Sequence, residues 1–211
     1  MSAPPQRKMS HHHTPLVVLV SGWAGAGKDC AAALLVEECG FKRVAFADAL
    51  KEDVAKVTCM PLDWFYTAMK DRPLEKPCAA YPNAKTPRDI LLQHALVRRA
   101  ADPDVYSKGV AATIMEAPGV RFVVSDWRYR SEHKVLAEEL GEFYNIFRIR
   151  IERPGIRQSA DPSEHDLDGV AMDYVITNDG TISDLRHAVK HAFHMMLAVA
   201  EGNKGEAPRG T

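Results

Sequence analysis

The sequence lacks a strong net charge, a long apolar run and a metal-type cysteine pattern. Its 27 basic and 28 acidic residues give a formal net charge of -1. No overall field therefore attracts nucleic acid or an anionic membrane, although a local contact with DNA stays open. No apolar run approaches the roughly 18 residues that a membrane-spanning helix needs. The four cysteines lack the close spacing of metal ligands, which favours reduced, mostly buried thiols in a cytoplasmic protein.

The two ends of the chain differ in composition from its middle. Met1–Lys8 is proline-rich and basic with no apolar core behind it, which argues against a secretory signal. His11–His13 could bind metal weakly, but a disordered tail is the simpler interpretation. The 211 residues most simply form one domain over 15–201, between loose tails at 1–14 and 202–211.

Short apolar strands alternate with helical segments along the chain. The patterns predict five strands, at Leu16–Val20, Arg43–Phe46, Arg121–Ser125, Tyr144–Ile151 and Tyr174–Thr177. They also predict helices, at Cys30–Glu38, Ala49–Thr58, Leu62–Met69, Pro87–Ala101 with Thr86 as its cap, about 102–116, Ser131–Leu140 and Ile182–Ala200. This order is typical of an α/β fold with a five-stranded parallel sheet and helices on both faces. Two irregular insertions, at about 60–87 and 152–169, follow strands and could close over a substrate.

The stretch from Gly22 to Lys28 fits the phosphate-loop motif G-x-x-x-x-G-K, with a strand before it and a helix after it. Glycines let backbone N–H groups face a polyphosphate, the helix start adds positive potential, and the lysine reaches the outer phosphates. An ordinary glycine-rich turn with a surface lysine is the alternative. We predict a nucleotide site formed by Gly22, Ala24, Gly25, Ala26, Gly27, Lys28, Asp29 and Cys30.

Asp29 stands where this motif normally has a magnesium-binding serine or threonine. As an acid at a helix start, it would interact favourably with the helix dipole. As a carboxylate, it could bind Mg²⁺ or hold a magnesium-bound water. A damaged, non-catalytic loop is a third interpretation. We favour the role at magnesium.

Four segments occur in a fixed order along the chain. They are VSGWAGAGKD at 20–29, FADALK at 46–51, VVSDWR at 123–128, and Ser163-Glu164 followed by DYVITNDG at 173–180. Together they resemble the bacteriophage deoxynucleoside monophosphate kinases, P-loop kinases related to the animal phosphomevalonate kinases. In that group aspartate after the loop lysine is the usual form. The resemblance implies a P-loop NTPase three-layer sandwich with an acceptor-binding region at about 47–117 and a lid at about 152–169.

The resemblance also implies an activity, which is transfer of a phosphoryl group from ATP, with Mg²⁺, to a nucleoside or deoxynucleoside monophosphate. Related kinases act on phosphomevalonate or on hydroxymethylated pyrimidines in phage DNA, so these acceptors are alternatives. A nucleotide-binding switch without transfer is an alternative of another class. A phage origin would place the protein in the host cytoplasm. The base, the sugar and the oligomeric state, a homodimer included, stay open.

Charged residues near the ends of the third and fourth strands are candidates for catalysis beside Lys28. Asp126 could orient magnesium or the acceptor phosphate, or it could cap the next helix. Arg128 has the same side-chain direction and offers a planar fork for phosphate, and Glu132 could pair with an arginine. Arg153 and Arg157 open the second insertion, where lid arginines would neutralise the transferring group. A charged surface loop is the alternative for this pair.

Candidates for binding the acceptor lie on two predicted helices. Asp48 and Lys51 are three residues apart and therefore share a helix face, which the resemblance assigns to the acceptor pocket. Arg88, just inside a capped helix, could clamp the acceptor phosphate, and Gln93 could contact a base edge. All four are also ordinary solvated helical residues.

Other candidates rest on a local acidic cluster, on the resemblance or on aromatic character. Glu164 begins an acidic cluster with one histidine; we favour a solvated loop with one arginine-pairing carboxylate over a metal site, and Glu164 is the candidate for the acceptor site. The resemblance suggests Asn178 as a neighbour of the adenine of ATP. Trp64, Phe65 and Tyr66 could stack on a flat base, but we favour burial in the core for them.

Overall fold

Five parallel strands form one sheet in the order β2-β3-β1-β4-β5. The computed structural model describes residues 14–156 and 165–202. The strands are β1 Leu16–Ser21, β2 Phe41–Val44, β3 Arg121–Val124, β4 Asn145–Glu152 and β5 Tyr174–Thr177. Every residue of β1 is buried, because β1 pairs with β3 on one side and β4 on the other, and helices cover both faces. This burial explains its uninterrupted apolar run.

Six α-helices and two short 3₁₀-helices surround the sheet in the described residues. They are α1 Lys28–Cys39, α2 Phe46–Thr58, α3 Pro87–Ala101, α4 Val105–Met115, α5 Arg130–Leu140 and α6 Ile182–Gly202, with the 3₁₀-helices at Leu62–Phe65 and Ala68–Asp71. One apolar core joins the sheet to α1 and α6, and a second joins the other face to the start of α2, α4 and α5. The three-layer sandwich that the sequence predicted is confirmed.

The first insertion has a small core of its own. Val54 on α2 and Ile90 on α3 pack with Phe65, Cys78 and Ala84 from the irregular segment between these helices. The segment is therefore anchored against the helices that carry the predicted acceptor residues. No helix of the described residues is long and apolar enough to cross a membrane. Apart from Thr14 and Gly202, the predicted tails, with His11–His13, lie outside the described residues.

Some predicted boundaries were wrong. The second strand is two residues earlier than predicted, because Phe46 is the first residue of α2 and not the last of the strand. The N–H groups of Phe46 and Ala47 are bound by the carboxylate of Asp126, which is distant in sequence, so no local pattern marks this helix start. The predicted helix Leu62–Met69 is two 3₁₀-helices. The cap at Thr86 is confirmed, with a reciprocal bond to Asp89.

Candidate active site

The loop between β1 and α1 has a backbone that requires glycine. Gly22, Gly25 and Gly27 have φ angles of 143°, 80° and 105°, a region that other residues rarely adopt. A Cβ atom at Gly22 would collide with the carbonyl oxygen of Ile151, and one at Gly27 would lie 2.5 Å from Nδ2 of Asn178. The loop therefore lies directly against the ends of β4 and β5. Only glycine allows the backbone to approach so closely at these two positions.

Lys28 is the first residue of α1, and its side chain bonds back to the loop that precedes the helix. Its Nζ donates to the carbonyl oxygens of Gly22, at 2.6 Å, and Trp23, at 3.0 Å. The N-cap residue of α1 is Gly27, in the left-handed conformation, which has no side chain with which to cap the helix. The positive end of the helix dipole makes this position suited to an anion.

Asn178, the residue after β5, braces the same loop. Its side-chain Nδ2 donates to the carbonyl oxygen of Ala26 at 2.8 Å, and its backbone N–H donates to the carbonyl oxygen of Glu152 at 2.6 Å. This contact joins the loop to the ends of two strands. The predicted role of Asn178 at adenine stays a prediction.

The carboxylate of Asp126 follows β3 and caps α2. Its Oδ1 accepts from the N–H of Phe46 and its Oδ2 from the N–H of Ala47, both at 2.9 Å. Burial raises the pKa of this carboxyl, and the two backbone hydrogen bonds act against that rise. The alternative of a cap for the next helix is wrong, because Asp126 caps α2, which lies far earlier in the chain, and the N-cap residue of α5 is Tyr129. Each oxygen keeps a further lone pair for another ligand.

The residues present fit a magnesium ion held mainly through phosphate and water. Asp29 is exposed in the first turn of α1, and Asp126 stands at the carboxyl edge of the sheet. The described residues contain no group of three or more potential metal ligands. Mg²⁺ in phosphoryl-transfer sites usually takes one or two carboxylates and completes its shell with water and substrate phosphate, so two carboxylates suffice.

Arg128 and Glu132 lie just beyond Asp126. Oε2 of Glu132 accepts from the N–H groups of Arg128, at 2.9 Å, and Tyr129, at 3.0 Å. Burial raises the pKa of the Glu132 carboxyl to about 7. Arg128 is an exposed residue. The turn that contains it is held in place by the two hydrogen bonds from its backbone to Glu132.

The start of α2 carries the charged pair that the sequence predicted. Nζ of Lys51 lies 3.5 Å from Oδ1 of Asp48, and Nη1 of Arg43 lies 3.0 Å from Oδ2. The hydroxyl of Tyr66 donates to Asp48 at 2.9 Å, and Lys51 lies 3.8 Å from the centre of the Tyr66 ring. Burial of Phe65 in the core is confirmed, whereas Tyr66 is 45% exposed, so the prediction of burial was wrong for Tyr66.

Arg88 and Gln93 lie on α3. Arg88 makes two hydrogen bonds to Asp71, with Nε 2.5 Å from Oδ1 and Nη2 3.2 Å from Oδ2. Both side chains are about half exposed, so an incoming phosphate could compete for this guanidinium. Gln93 is half-buried. The roles of both residues stay predictions.

A hydrogen-bonded group that the sequence did not single out ties α2 to α3. The buried ring of His94 contacts Asp53 through Nε2 at 2.9 Å and the hydroxyl of Tyr81 through Nδ1. Arg98 lies 3.2 Å from the same carboxylate. The only local signal was that His94 shares a helix face with buried Ile90, four residues earlier.

The predicted lid is described only at its two ends. Arg153, just after β4, is exposed, and its carbonyl oxygen accepts from the N–H of Ile156 at 3.5 Å. Arg157 and Glu164 lie outside the described residues. Beside the loop, a cleft of about 480 Å³ is lined by Trp23, with Arg150 and Asp168 3.4 Å apart. The lining of this cleft contains both basic and acidic side chains.

A glycine loop between a buried strand and a helix that begins with lysine, inside this parallel sheet, defines a P-loop NTPase fold. No model of a known protein family matches the chain. A protein of Acanthamoeba polyphaga mimivirus, named "Putative deoxynucleotide monophosphate kinase", is 28% identical over 184 residues, which cover 80% of this chain and 91% of that protein.

Two solved structures show a distant likeness. TT1252 from Thermus thermophilus matches with a TM-score of 0.49 and 14% identity, covering 86% of this chain and 98% of the other. The dephospho-CoA kinase from Campylobacter jejuni matches with a TM-score of 0.47 and 14% identity, covering 89% and 98%. These likenesses say nothing about the substrate.

Proposed function

We propose that the protein transfers the γ-phosphoryl group of ATP to a nucleoside monophosphate, with a deoxynucleotide as the preferred acceptor. One observation carries the proposal: the phosphate loop and a second set of cations lie at the same edge of the sheet. Lys28 and the start of α1 form the first part, while Lys51 and Arg128 follow the neighbouring strands β2 and β3. The name of the mimivirus relative supports the same activity.

The roles of the loop residues follow from charge. The N–H groups at the start of α1 and Lys28 would hold the β- and γ-phosphates, since helix starts and ammonium groups both favour anions. Asp29 and Asp126 would hold Mg²⁺ together with phosphate and water. The bound ion would neutralise charge on the phosphates.

The transfer needs positioning more than covalent chemistry. An oxygen of the acceptor phosphate attacks the γ-phosphorus, the bond from that phosphorus to the bridging oxygen breaks, and ADP leaves with the electron pair. The acceptor phosphate is already anionic, so no general base is required, but several cations must approach it. Lys51, Arg88 and Arg128 would hold the acceptor, and Arg153 with Arg157 would neutralise the transferring group while water is excluded.

A substrate panel tests the proposal. The protein is incubated with ATP, Mg²⁺ and each of the common ribo- and deoxynucleoside monophosphates, and diphosphate products are separated by chromatography. We expect turnover of at least one deoxynucleotide and none by Lys28→Met, which keeps most of the side-chain length but loses the charge. ATP binding without any product would favour a switch. Phosphate transfer to hydroxymethylated DNA alone, with salt-sensitive binding, would favour a DNA acceptor.

A further inference from the structure

Three histidines lie along the outer face of α6. His187, His191 and His194 are all exposed, whereas the apolar face of the same helix is buried in the core that it shares with the sheet and α1. An α-helix turns by about 100° per residue, so the three side chains leave the helix within about 60° of one another. They form a row that faces solvent.

The row is on the side of α6 that is turned away from the phosphate loop. Leu185 is the residue of α6 that faces this loop, since its Cδ2 would lie 4.0 Å from a Cβ atom built at Gly27. His187 follows Leu185 by two residues and is therefore about 160° away around the helix axis. An ion bound in the row is thus a different ion from the magnesium of phosphoryl transfer.

His187 and His191 have the spacing of a metal-binding pair. Side chains four residues apart are neighbours on a helix, with Cβ atoms about 5–6 Å apart, so two imidazoles can hold one ion between them. The same spacing carries both histidine ligands of the zinc motif H-E-x-x-H. His194 is seven residues from His187, which is about 10 Å along the axis, so these two cannot share an ion in the same way.

Both rings of the pair are available to a ligand. Neither the ring of His187 nor that of His191 makes a hydrogen bond to another group within the part of the chain that the structure describes. A neutral imidazole has one nitrogen with a lone pair that can bind a metal ion. The pair therefore offers two nitrogen ligands without breaking an existing contact.

The charges around the pair favour a cation. Asp184 lies one turn before His187, close enough for their charges to interact. The two basic residues of this stretch are neutralised from α1, because Arg186 and Lys190 lie 2.6 Å and 2.5 Å from the carboxylate of Glu38. An approaching metal ion would therefore meet one unpaired acidic group and no unpaired basic group.

We propose that His187 and His191 bind a divalent transition-metal ion of the class Cu²⁺, Ni²⁺ and Zn²⁺. Imidazole suits these ions, whereas Mg²⁺ takes oxygen ligands. Two nitrogens come from the pair and water completes the shell, in keeping with the absence of any group of three or more potential ligands among the described residues. The bound ion links two successive turns of α6.

Calorimetric titration of the full chain with Ni²⁺ tests the proposal. The histidines at 11–13 could bind the same ion, so alanine replaces them in every protein compared. We expect this background protein to bind Ni²⁺, and His187→Ala and His191→Ala to bind it at least about tenfold more weakly, because the loss of even an outer partner of a metal ligand commonly costs that much. With Ni²⁺ at about ten times its Kd, the melting temperature of the background protein should rise by about 3–6 °C.

His194→Ala is the matched control, because it removes an exposed histidine from the same face of the same helix. It should change the affinity for Ni²⁺ by less than about twofold, and excess Mg²⁺ should not displace the ion. Alanine is the best helix former, and melting without metal checks that each variant is folded. Any of three results overturns the proposal: no Ni²⁺ binding by the background protein, undiminished binding by His187→Ala or His191→Ala, or an equal loss in His194→Ala.

Discussion

The carboxylate of Asp126 accepts a hydrogen bond from the backbone N–H of Phe46 at 2.9 Å, across a separation of 80 residues. This bond and its companion to Ala47 join the end of β3 to the start of α2. Lys51 lies on the second turn of that helix. The predicted magnesium carboxylate therefore also fixes the helix that would hold the acceptor, so the two parts of the site are mechanically linked.

Two substitutions at Asp126 separate the contribution of its hydrogen bonds to α2 from the contribution of its charge. Asp126→Asn and Asp126→Ala both remove the buried charge, so its desolvation cost cancels between them. Only asparagine retains an oxygen that can accept from α2. We expect Asp126→Ala to be less stable by about 1 kcal/mol in urea unfolding, and both variants to lose phosphoryl transfer. Asparagine keeps only one of the two accepting oxygens, so equal stability of the two variants would show that this one hydrogen bond contributes no net stability.

Glu132 makes the stability of the protein depend on pH. Burial raises the pKa of this carboxyl from 4.5 to about 7, so its favourable contribution is complete below about pH 4.5. That contribution is lost as the pH rises towards 7, because the folded state must then carry a buried charge. Relative to Glu132→Gln, the wild type should lose roughly 3 kcal/mol at most between pH 4.5 and 8.

Urea unfolding of both proteins at several pH values measures this difference. Other titrating groups are shared by the two proteins and cancel when the curves are subtracted. Parallel stability curves across this range would mean that Glu132 titrates like an exposed glutamate.

Substitutions at two glycines with similar backbone conformations can separate the effect of backbone strain from the role of the phosphate loop. Gly27 and Gly40 have φ angles of 105° and 71°, so alanine at either position should cost about 1 kcal/mol of stability. A Cβ atom at Gly27 would press on Asn178, whereas nothing lies within 4 Å at Gly40. We expect only Gly27→Ala to weaken ATP binding, by more than tenfold in calorimetry. A similar loss in Gly40→Ala would assign the effect to general strain.

Cys59 offers a stabilising substitution away from the site. It ends α2 in the left-handed conformation, with φ of 56°, which is unfavourable for a residue with a Cβ atom. Cys59→Gly should raise stability by about 0.5–1 kcal/mol, and the melting temperature by about 1–4 °C. Cys59→Ala keeps Cβ and controls for loss of the thiol. If alanine stabilises as much as glycine, the backbone explanation is wrong.

Local patterns were sufficient for much of the fold. The apolar runs predicted all five strands, and the capped start of α3 at Thr86 was correct. The phosphate loop was recognisable because glycine spacing and the following lysine act within a few residues. The class of fold and the loop part of the site were therefore determined by the sequence alone.

Only the tertiary structure decided the contacts between distant segments. The start of α2 is capped by Asp126, and the exposed Tyr66 donates a hydrogen bond to Asp48, 18 residues earlier. The physical reason is that a parallel sheet brings the ends of distant strands to one edge, and the side chains that meet there have no shared pattern along the chain.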